Sequence, residues 1–267
     1  MKHCVLIQAH KDIDYFLEFA RLNGNTNFYV HMDKKSKFNL TISHKNVFIV
    51  ENSINVRWGG WTQVEATLLL FELALQDKEN YYFHLCSGED VILRSFSKIE
   101  YEWQKKFTHS AMIESSYSVA HQYRTRYDQI HADTDWQRSL SGKLLTRLYK
   151  YLNILIPSSD YPLYGSQWFS VTRNQALLIN KASKKHKDFF RKKLCPDEHF
   201  FQLILNEKSI PIANCNRRFI VFEKEYKNGN SPLYLNDEDL LSASEVGFWF
   251  ARKVEKDIAL NFLYNHY

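Results

Sequence analysis

The chain has 267 residues, 45% of them hydrophobic, which is enough to build the core of one large α/β domain or two small ones without covalent staples. Its formal net charge of +5 is mildly basic and suits anionic small substrates, an anionic membrane surface or weak nucleic-acid contacts. Because the four cysteines are widely spaced and no run of about 18 apolar residues occurs, we expect a cytosolic protein, at most peripheral to a membrane, without disulfides or a zinc site.

The first residues show a strand, helix, strand pattern. Residues 1–9 predict a buried strand, and apolar residues at helical spacing over 16–22 predict a helix that ends at a Gly24 cap. Residues 27–33 alternate between apolar and polar side chains, which predicts a strand with one polar face that ends in a carboxylate. This β-α-β start predicts a parallel pair of strands.

The alternation continues through the first hundred residues. Strands are predicted at 47–50 and 81–86, and each is followed by a helix whose start has capping-box spacing. Alternating strands and helices indicate a doubly wound sheet of the nucleotide-binding type. The two predicted capping boxes are Thr62 with Glu65 and Ser97 with Glu100.

The second half of the chain is less regular. A polar stretch rich in tyrosine and arginine, residues 117–159, is expected to form a variable insertion over the carboxyl edge of the sheet. Without a repeat, low-complexity tract or linker, the chain is predicted to form one domain. The elements predicted here are a strand over 111–114, an amphipathic helix over 144–155, a strand over 165–172 and a helix over 197–205, entered through Pro196.

Polar residues follow several of the predicted strands. They stand at 9–10, 31–33 and 87–90, and Glu114 ends a fourth strand. Ligands of open α/β sheets bind beyond the carboxyl ends of the strands, so these residues are candidates for a ligand site. Each has a structural alternative, since Asp33 could cap a turn and residues 87–88 could form an ordinary turn.

Cys195-Pro196-Asp197-Glu198 places two carboxylates in the first turn of an apolar helix. They could stabilise the helix dipole, or one could act as the base that an inverting sugar transfer requires. The leaving diphosphate of such a reaction needs positive charge, from a metal on an Asp-x-Asp motif or from side chains near 250–253. None of the Asp-x-Asp strings follows a predicted strand; they are Asp12-Ile13-Asp14, Asp133-Thr134-Asp135 and Asp237-Glu238-Asp239.

The ordered series of motifs resembles the core-2/I-branching β-1,6-N-acetylglucosaminyltransferase and xylosyltransferase family over about residues 4–255. The motifs that carry the resemblance are Ala9-His10-Lys11, His31-Met32-Asp33-Lys34-Lys35-Ser36, Trp58-Gly59-Gly60 with Glu65-Ala66-Thr67-Leu68, Ser87-Gly88-Glu89-Asp90, Gly165-Ser166-Gln167-Trp168-Phe169, Cys195-Pro196-Asp197-Glu198 and Phe250-Ala251-Arg252-Lys253.

The resemblance implies a single α/β domain of GT-A-like fold, with a mostly parallel central sheet flanked by helices, that uses a UDP-sugar and inverts the anomeric centre without a metal. Residues of about 1–115 would form the nucleotide-sugar half, and 116–267 the acceptor and catalytic half. Glu198 is the implied base and Lys253 the implied diphosphate ligand. The donor-binding residues expected are Ile7, Gln8, Ala9, Asp33, Lys35, Trp58, Arg252 and Lys253, and the acceptor-binding residues are Glu114, Arg124, Trp168 and Phe222.

Two departures from the family pattern stand out. A second diphosphate arginine is missing from 230–232, and Arg252, Arg218 or Arg173 are its candidate substitutes. Near the acceptor, Phe222 stands where the family has a tryptophan and Lys224 where it has a tyrosine. The animal enzymes also carry a membrane anchor and disulfides, so the resemblance implies a microbial enzyme that acts on a surface-glycan precursor.

UDP-GlcNAc is the expected donor, with UDP-xylose, UDP-galactose or UDP-glucose as alternatives, and a glycan or glycolipid is the expected acceptor. A non-catalytic nucleotide- or glycan-binding protein is a second interpretation. Nucleic-acid binding is a third, suggested by the basic charge and the stretch around 123–127, but the basic residues are scattered and no nucleic-acid partner is expected.

Overall fold

A computed structural model of the chain describes residues 1–38, 44–156, 158–159, 162–222 and 231–267. Lys224 and Asn230, which the comparison with the family pattern singled out, lie outside the described residues. The strands are β1 (Lys2–Ala9), β2 (Asn27–Met32), β3 (Val47–Ile49), β4 (Asn80–Ser87), β5 (Asp90–Ile92), β6 (Ser116–Tyr117), β7 (Leu163–Tyr164), β8 (Ser170–Thr172), β9 (Arg218–Ile220) and β10 (Phe250–Arg252). The α-helices are α1 (Asp14–Leu22), α2 (Trp61–Ala74), α3 (Phe96–Lys106), α4 (Gln122–Arg126), α5 (Leu140–Leu155), α6 (Arg173–Phe190), α7 (Phe200–Glu207), α8 (Asp237–Val246) and α9 (Lys256–His266), with 3₁₀ turns at Asp135–Arg138 and Pro196–Glu198.

The central sheet has the strand order β3-β2-β1-β4-β8. Its first four strands are parallel, as the β-α-β pattern predicts, and β8 runs antiparallel to β4 at the edge. A smaller sheet has the order β5-β10-β9, and β6 pairs with β7. The chain is therefore a single-domain α/β protein with a mostly parallel central sheet flanked by helices.

Side chains of β1 alternate between two apolar clusters on opposite faces of the sheet. Val5 and Ile7 pack into one cluster, whereas Cys4 and Leu6 pack into the other. Helices α1, α3 and α9 supply the first cluster, and α2, α6 and α7 supply the second. A strand buried on both faces is typical of a parallel sheet between two helical layers, and each large apolar side chain so buried contributes about 1.5–3 kcal/mol.

All six residues of β2 are buried, including those on the face predicted to be polar. The polar side chains find partners inside the protein. His31 Nε2 accepts a hydrogen bond from the Ile54 N–H at 3.1 Å, and the Tyr29 hydroxyl accepts one from Asn80 at 2.7 Å. Hydrogen-bonded groups of this kind can be buried without the cost of an unpaired polar atom.

Both predicted capping boxes are wrong. Helix α2 begins after Gly60, and the Thr62 hydroxyl instead accepts from the Arg57 N–H and donates to Asp133, each at 2.8 Å. Helix α3 begins after Ser95, whose side chain makes no capping bond. The capping boxes that the structure does contain are Thr172 with Gln175 at α6 and Asn236 with Asp239 at α8.

Several predicted boundaries move in the structure. Helix α1 ends at Leu22 with Asn23, not Gly24, as its C-cap. The helix predicted over 197–205 is two pieces, a 3₁₀ turn and α7, separated by His199. Residues 111–114 contribute only isolated bridges, and the amphipathic helix begins four residues earlier than predicted, at Leu140. Within the residues that the structure describes, no helix combines the length and apolar character needed to cross a bilayer.

Candidate active site

The loops that follow β1, β2 and β4 meet at the carboxyl edge of the central sheet. The Asp33 N–H donates to the Ala9 carbonyl at 2.8 Å, and the Gly88 N–H donates to the Gln8 carbonyl at 3.0 Å. These main-chain bonds continue the sheet pairing into the loops. The polar residues that the sequence places after three different strands are therefore neighbours at one edge.

Asp33 fastens the loop before α2 to this edge. Its Oδ1 accepts from the Lys35 N–H at 3.0 Å and from the Val56 N–H at 3.3 Å, while Lys35 Nζ donates to the Val56 carbonyl at 2.7 Å. Asp33 thus performs the turn-capping role that was its structural alternative. The loop leads to Trp58, whose side chain is 55% exposed and stacks under the guanidinium of Arg138.

Gly59 joins this loop to the turn that carries Glu198. The Cys195 N–H donates to the Gly59 carbonyl at 2.9 Å, and the Gly59 N–H donates to Gln63 Oε1 at 2.9 Å. Gly59 has a φ of +70°, a left-handed conformation that glycine adopts without steric cost. Trp58 and Glu198 are consequently held by one hydrogen-bonded unit, although 140 residues separate them in the chain.

Glu198 ends the 3₁₀ turn, and its side chain remains 30% exposed. Its Oε2 pairs with Nη1 of Arg124, whose own side chain is 11% exposed and whose guanidinium lies 5.6 Å from the Tyr164 ring centre. Burial alone would lower the pKa of Arg124, but the facing Cys195 and Glu198 outweigh it and raise that pKa. Arg124, expected at the acceptor, is thus the direct partner of Glu198.

Asp197 is chemically distinct from its neighbour. It is 6% exposed, and its Oδ1 has no hydrogen-bond partner among the described residues. Burial, followed by repulsion from the Glu198 charge, raises the pKa of Asp197 above its usual range. Of the two carboxyls in this turn, burial disfavours ionisation of Asp197, and the accessible Glu198 faces a cation.

The raised pKa of Asp197 predicts a pH-dependent stability. A carboxyl whose pKa is higher in the folded state contributes stability that is fully present below its unfolded pKa, near 3.8, and is lost as the pH rises through the folded pKa. We expect Asp197→Asn, which cannot ionise, to gain about 1–3 kcal/mol in unfolding free energy relative to the wild type between pH ~5 and pH ~8. Urea denaturation at several pH values measures this difference.

Asp128→Asn is the matched control for that experiment. Asp128 is exposed, and a hydrogen bond from Lys193 lowers its pKa, so it is ionised in both states across the same pH range. Replacing Asp128 should shift the plot of unfolding free energy against pH without changing the slope of that plot. Parallel curves for Asp197→Asn and the wild type would show that Asp197 is ionised in the folded protein.

Residues 165–168 contact both the turn that carries the candidate base and Glu114, the expected acceptor residue. The Gly165 N–H donates to the Glu198 carbonyl at 3.0 Å, and a Cβ at Gly165 would lie 1.9 Å from the Glu114 carbonyl oxygen. Partial desolvation raises the pKa of Glu114, and the nearby charge of Arg218 opposes that rise only in part. These main-chain contacts explain why the predicted strand over 165–172 is reduced to three residues at its end.

Three glutamines link the same segment to β1 and α2. Gln63 Nε2 donates to Gln167 Oε1 at 2.5 Å, and Gln167 Nε2 donates to Gln8 Oε1 at 3.0 Å. Gln8 Nε2 in turn donates to the Gln63 carbonyl and to the Thr67 hydroxyl. The Gln8 side chain, expected at the donor, is fully engaged in this network. Gln63 was not predicted as a site residue, because an isolated amide matches no motif.

Lys253 lies in a cluster centred on Glu89. Lys253 Nζ is 3.2 Å from Glu89 Oε2, while Lys11 Nζ and the Tyr234 hydroxyl donate to Oε1 at 2.9 and 2.6 Å. Burial would raise the pKa of Glu89, but the Tyr234 and Lys11 hydrogen bonds and the Lys253 charge bring it down to about 2. Lys11, Glu89 and Tyr234 also line a cavity of about 200 Å³. Tyr234 was not predicted, since it stands in no recognised motif.

Arg252 connects this cluster to residues 165–168. Its guanidinium lies 4.0 Å from the Trp168 ring centre, and its Nε is 3.7 Å from Oδ1 of the buried Asp90. Nε and Nη1 of Arg252 are buried and have no hydrogen-bond partner within the described part of the chain. A chain of contacts therefore connects Glu198 to Lys253, first through residues 165–168 and then through Arg252.

The other two candidate arginines are occupied elsewhere. Arg218 is buried and donates to the carbonyls of Leu85 and Phe169. Arg173 donates to the carbonyls of Asp77 and Leu75, before the start of β4 and thus at the opposite edge of the sheet. The proposal that Arg173 replaces the missing diphosphate arginine is therefore wrong on geometric grounds. Arg252 is the candidate that adjoins Lys253.

The side chains of some predicted site residues make none of the polar contacts described above. Ile7 is fully buried in the core and Ala9 is 4% exposed, whereas Phe222 is 56% exposed beside a segment that is not described. Among the described residues, no three His, Cys, Asp or Glu side chains form a group that could hold a metal ion. Of the Asp-x-Asp residues, Asp133 is bonded to Thr62 and Asp14 is paired with Lys256.

Comparison with known proteins gives one finding. The model of the Core-2/I-Branching enzyme family matches residues 8–232, which is most of the chain and includes Glu198 and residues 165–168. Arg252 and Lys253 lie beyond the matched segment. A search of curated proteins found no match.

Proposed function

The chain belongs to the core-2/I-branching enzyme family, whose members are glycosyltransferases, and on this premise we propose that it transfers a sugar from a UDP-sugar to a hydroxyl of a glycan or glycolipid. UDP-GlcNAc is the first donor to test. The observation that carries the proposal is the pair formed by Glu198 and Arg124, which residues 165–168 connect to Arg252 through the Gly165–Glu198 and Trp168–Arg252 contacts.

We further propose that the transfer inverts the anomeric centre. Glu198 takes the proton of the acceptor hydroxyl as its oxygen attacks the anomeric carbon, and the bond from that carbon to the diphosphate oxygen breaks on the opposite face. Arg124 positions the Glu198 carboxylate. The acceptor would also contact Glu114, a half-buried second carboxylate able to accept hydrogen bonds from sugar hydroxyls.

The departing UDP needs positive charge, and the proposal assigns this role to Lys253 and Arg252. Both are next to carboxylates, since Glu89 holds Lys253 and Lys11, and Asp90 faces Arg252. The three cations and two carboxylates leave a net charge of +1 at this place (three positive, two negative). Charges preorganised in this way need little rearrangement when the leaving group becomes negative, which is the condition for strong transition-state stabilisation.

The proposal extends to the GT-A-like fold and to its division into a nucleotide-sugar half, about 1–115, and an acceptor half, about 116–267. Asp33 and Trp58 belong to the first half, and Glu198 to the second. In line with the resemblance, the proposal also places the enzyme in the cytosol, where it acts on a surface-glycan precursor. The enzyme would need no metal if Lys253 and Arg252 replace the cation.

The test measures the melting temperature of the protein and its rate of UDP release with each member of a panel of UDP-sugars, in the presence of EDTA. We expect one donor to raise the melting temperature, because a ligand that binds the native state stabilises it. The same donor should be hydrolysed slowly without an acceptor, and EDTA should leave the rate unchanged. UDP-GlcNAc, UDP-xylose, UDP-galactose and UDP-glucose form the panel.

The outcomes separate the interpretations. Binding without any UDP release would favour a non-catalytic nucleotide-binding protein. Loss of release in EDTA with rescue by Mn²⁺ would show that a metal, not Lys253, stabilises the leaving diphosphate. Neither binding nor release with any donor of the panel would overturn the proposed use of a UDP-sugar.

A further inference from the structure

Helix α5 exposes an apolar face. Within α5, every residue of which is described, Gly142 alone is buried. Five of the six exposed large apolar residues of α5 follow one another at spacings of four, four, three and four, which places them on a single face of a helix. The five are Leu140 (83% exposed), Leu144 (62%), Leu148 (51%), Tyr151 (58%) and Leu155 (58%), and the sixth is Ile154 (69%).

A row of basic residues borders this apolar face. Lys143, Arg147 and Lys150 are exposed and are also spaced by four and three residues. With Arg138 they give residues 136–159 four positive charges, and this stretch contains no Asp or Glu. The helix therefore combines an exposed apolar face with a row of positively charged residues along one side of that face.

The opposite face of α5 is fixed to the protein. The Thr146 hydroxyl is hydrogen-bonded to His131 Nε2 at 2.8 Å, and the Tyr149 hydroxyl donates to the Asp128 carbonyl at 3.3 Å. Arg126 of α4 is bonded to the Ile156 carbonyl just beyond the helix. Because the inner face is already packed, the exposed apolar face points outward as a formed surface.

We propose that α5 is a membrane-docking helix, which lies in the headgroup region of an anionic bilayer with its Leu and Tyr side chains inserted and its Lys and Arg side chains at the lipid phosphates. An amphipathic helix with a basic polar face and a leucine-rich apolar face is suited to this position. A second copy of the chain fits less well, because two such helices packed together would bring their rows of positive charge close to each other.

The docked helix lies next to the candidate active site. Helix α4 contacts α5, and it carries Arg124, the partner of Glu198. At its other end, α5 follows the 3₁₀ turn whose Arg138 stacks on Trp58. Docking through α5 would therefore hold the candidate base close to lipid-linked acceptors. The docking itself does not depend on the proposed sugar transfer, and its test requires no donor.

The experiment is cosedimentation of the whole protein with vesicles of phosphatidylcholine alone or mixed with phosphatidylglycerol. We expect binding to the anionic vesicles that weakens as salt rises. Leu144→Glu/Leu148→Glu should weaken it at least about 10-fold, because a charge replaces two inserted side chains. Lys143→Gln/Arg147→Gln/Lys150→Gln should weaken it about 100-fold on the anionic vesicles, since each cation near such a surface contributes a factor of about five.

Matched variants on other helices keep this proposal falsifiable. Lys98→Gln/Lys105→Gln/Lys106→Gln removes three exposed cations from α3, and Leu177→Glu/Leu241→Glu alters exposed leucines on α6 and α8. Both should bind vesicles as the wild type does, and melting temperatures show that each variant is folded. Equal weakening by these variants, or no binding to anionic vesicles, would overturn the proposal. A dimer that Leu144→Glu/Leu148→Glu disperses, without vesicle binding, would assign the surface to a second copy.

Discussion

Glu198→Gln is expected to lower kcat by about 10²–10⁴-fold while the variant still binds UDP-sugar. Glutamine keeps the shape of the side chain and can accept a hydrogen bond from Arg124, but it cannot take the proton of the acceptor hydroxyl. The proposal assigns the diphosphate of the donor to Lys253 and Arg252 and not to Glu198. The UDP-sugar should therefore raise the melting temperature of the variant and of the wild type equally. Initial rates of UDP release with acceptor present, combined with thermal shift, measure both quantities.

Glu207→Gln is the matched control for this variant. Glu207 ends α7 and pairs with His186 at 3.1 Å, so it belongs to the same helical region and also has a basic partner. Its kcat should be that of the wild type. Wild-type turnover in Glu198→Gln would remove Glu198 from the mechanism. Loss of donor-induced stabilisation together with turnover would instead indicate that Glu198 organises the donor site.

The sheet could be predicted from the sequence because its signals are local. Strands buried on both faces, such as β1 and β4, appear as short apolar runs, and the β-α-β order requires their parallel pairing. Helix starts were less predictable. Thr62 has the spacing of a capping box, yet its hydroxyl donates a hydrogen bond to Asp133, which is 71 positions away in the chain. A contact of such range leaves no trace in the local pattern.

The site was predictable where the chemistry is concentrated in a short motif. Glu198 and Asp197 are adjacent in sequence, but the structure alone distinguishes them, since burial raises the pKa of Asp197 and Arg124 faces Glu198. The arrangement around Glu89 could not be predicted, because Lys11, Lys253 and Tyr234 come from distant parts of the chain. These contacts arise only when β10 pairs with β5 and brings the end of the chain to the sheet's carboxyl edge.

Lys253→Met is expected to lower kcat by about 10²-fold, since loss of one group that stabilises transition-state charge has an effect of this size. Methionine keeps most of the aliphatic length of lysine without its charge. Glu89 keeps two of its hydrogen-bond donors, Lys11 and Tyr234, so the cluster should remain folded. The charge on the leaving diphosphate grows as the glycosidic bond breaks. The loss should therefore fall mainly on kcat and less on donor affinity.

Lys256→Met is the control, because Lys256 is exposed, lies three residues further on and pairs with Asp14. Removing the positive charge of Lys256 tests whether the loss of any cation in this region lowers turnover. We expect Lys256→Met to retain wild-type kcat at low and at high salt, while Lys253→Met is slow in both. Equal kcat values for the two variants would show that Lys253 does not stabilise the departing UDP. Arg252, which faces Asp90 and Trp168, would then be the remaining candidate at this edge of the described structure.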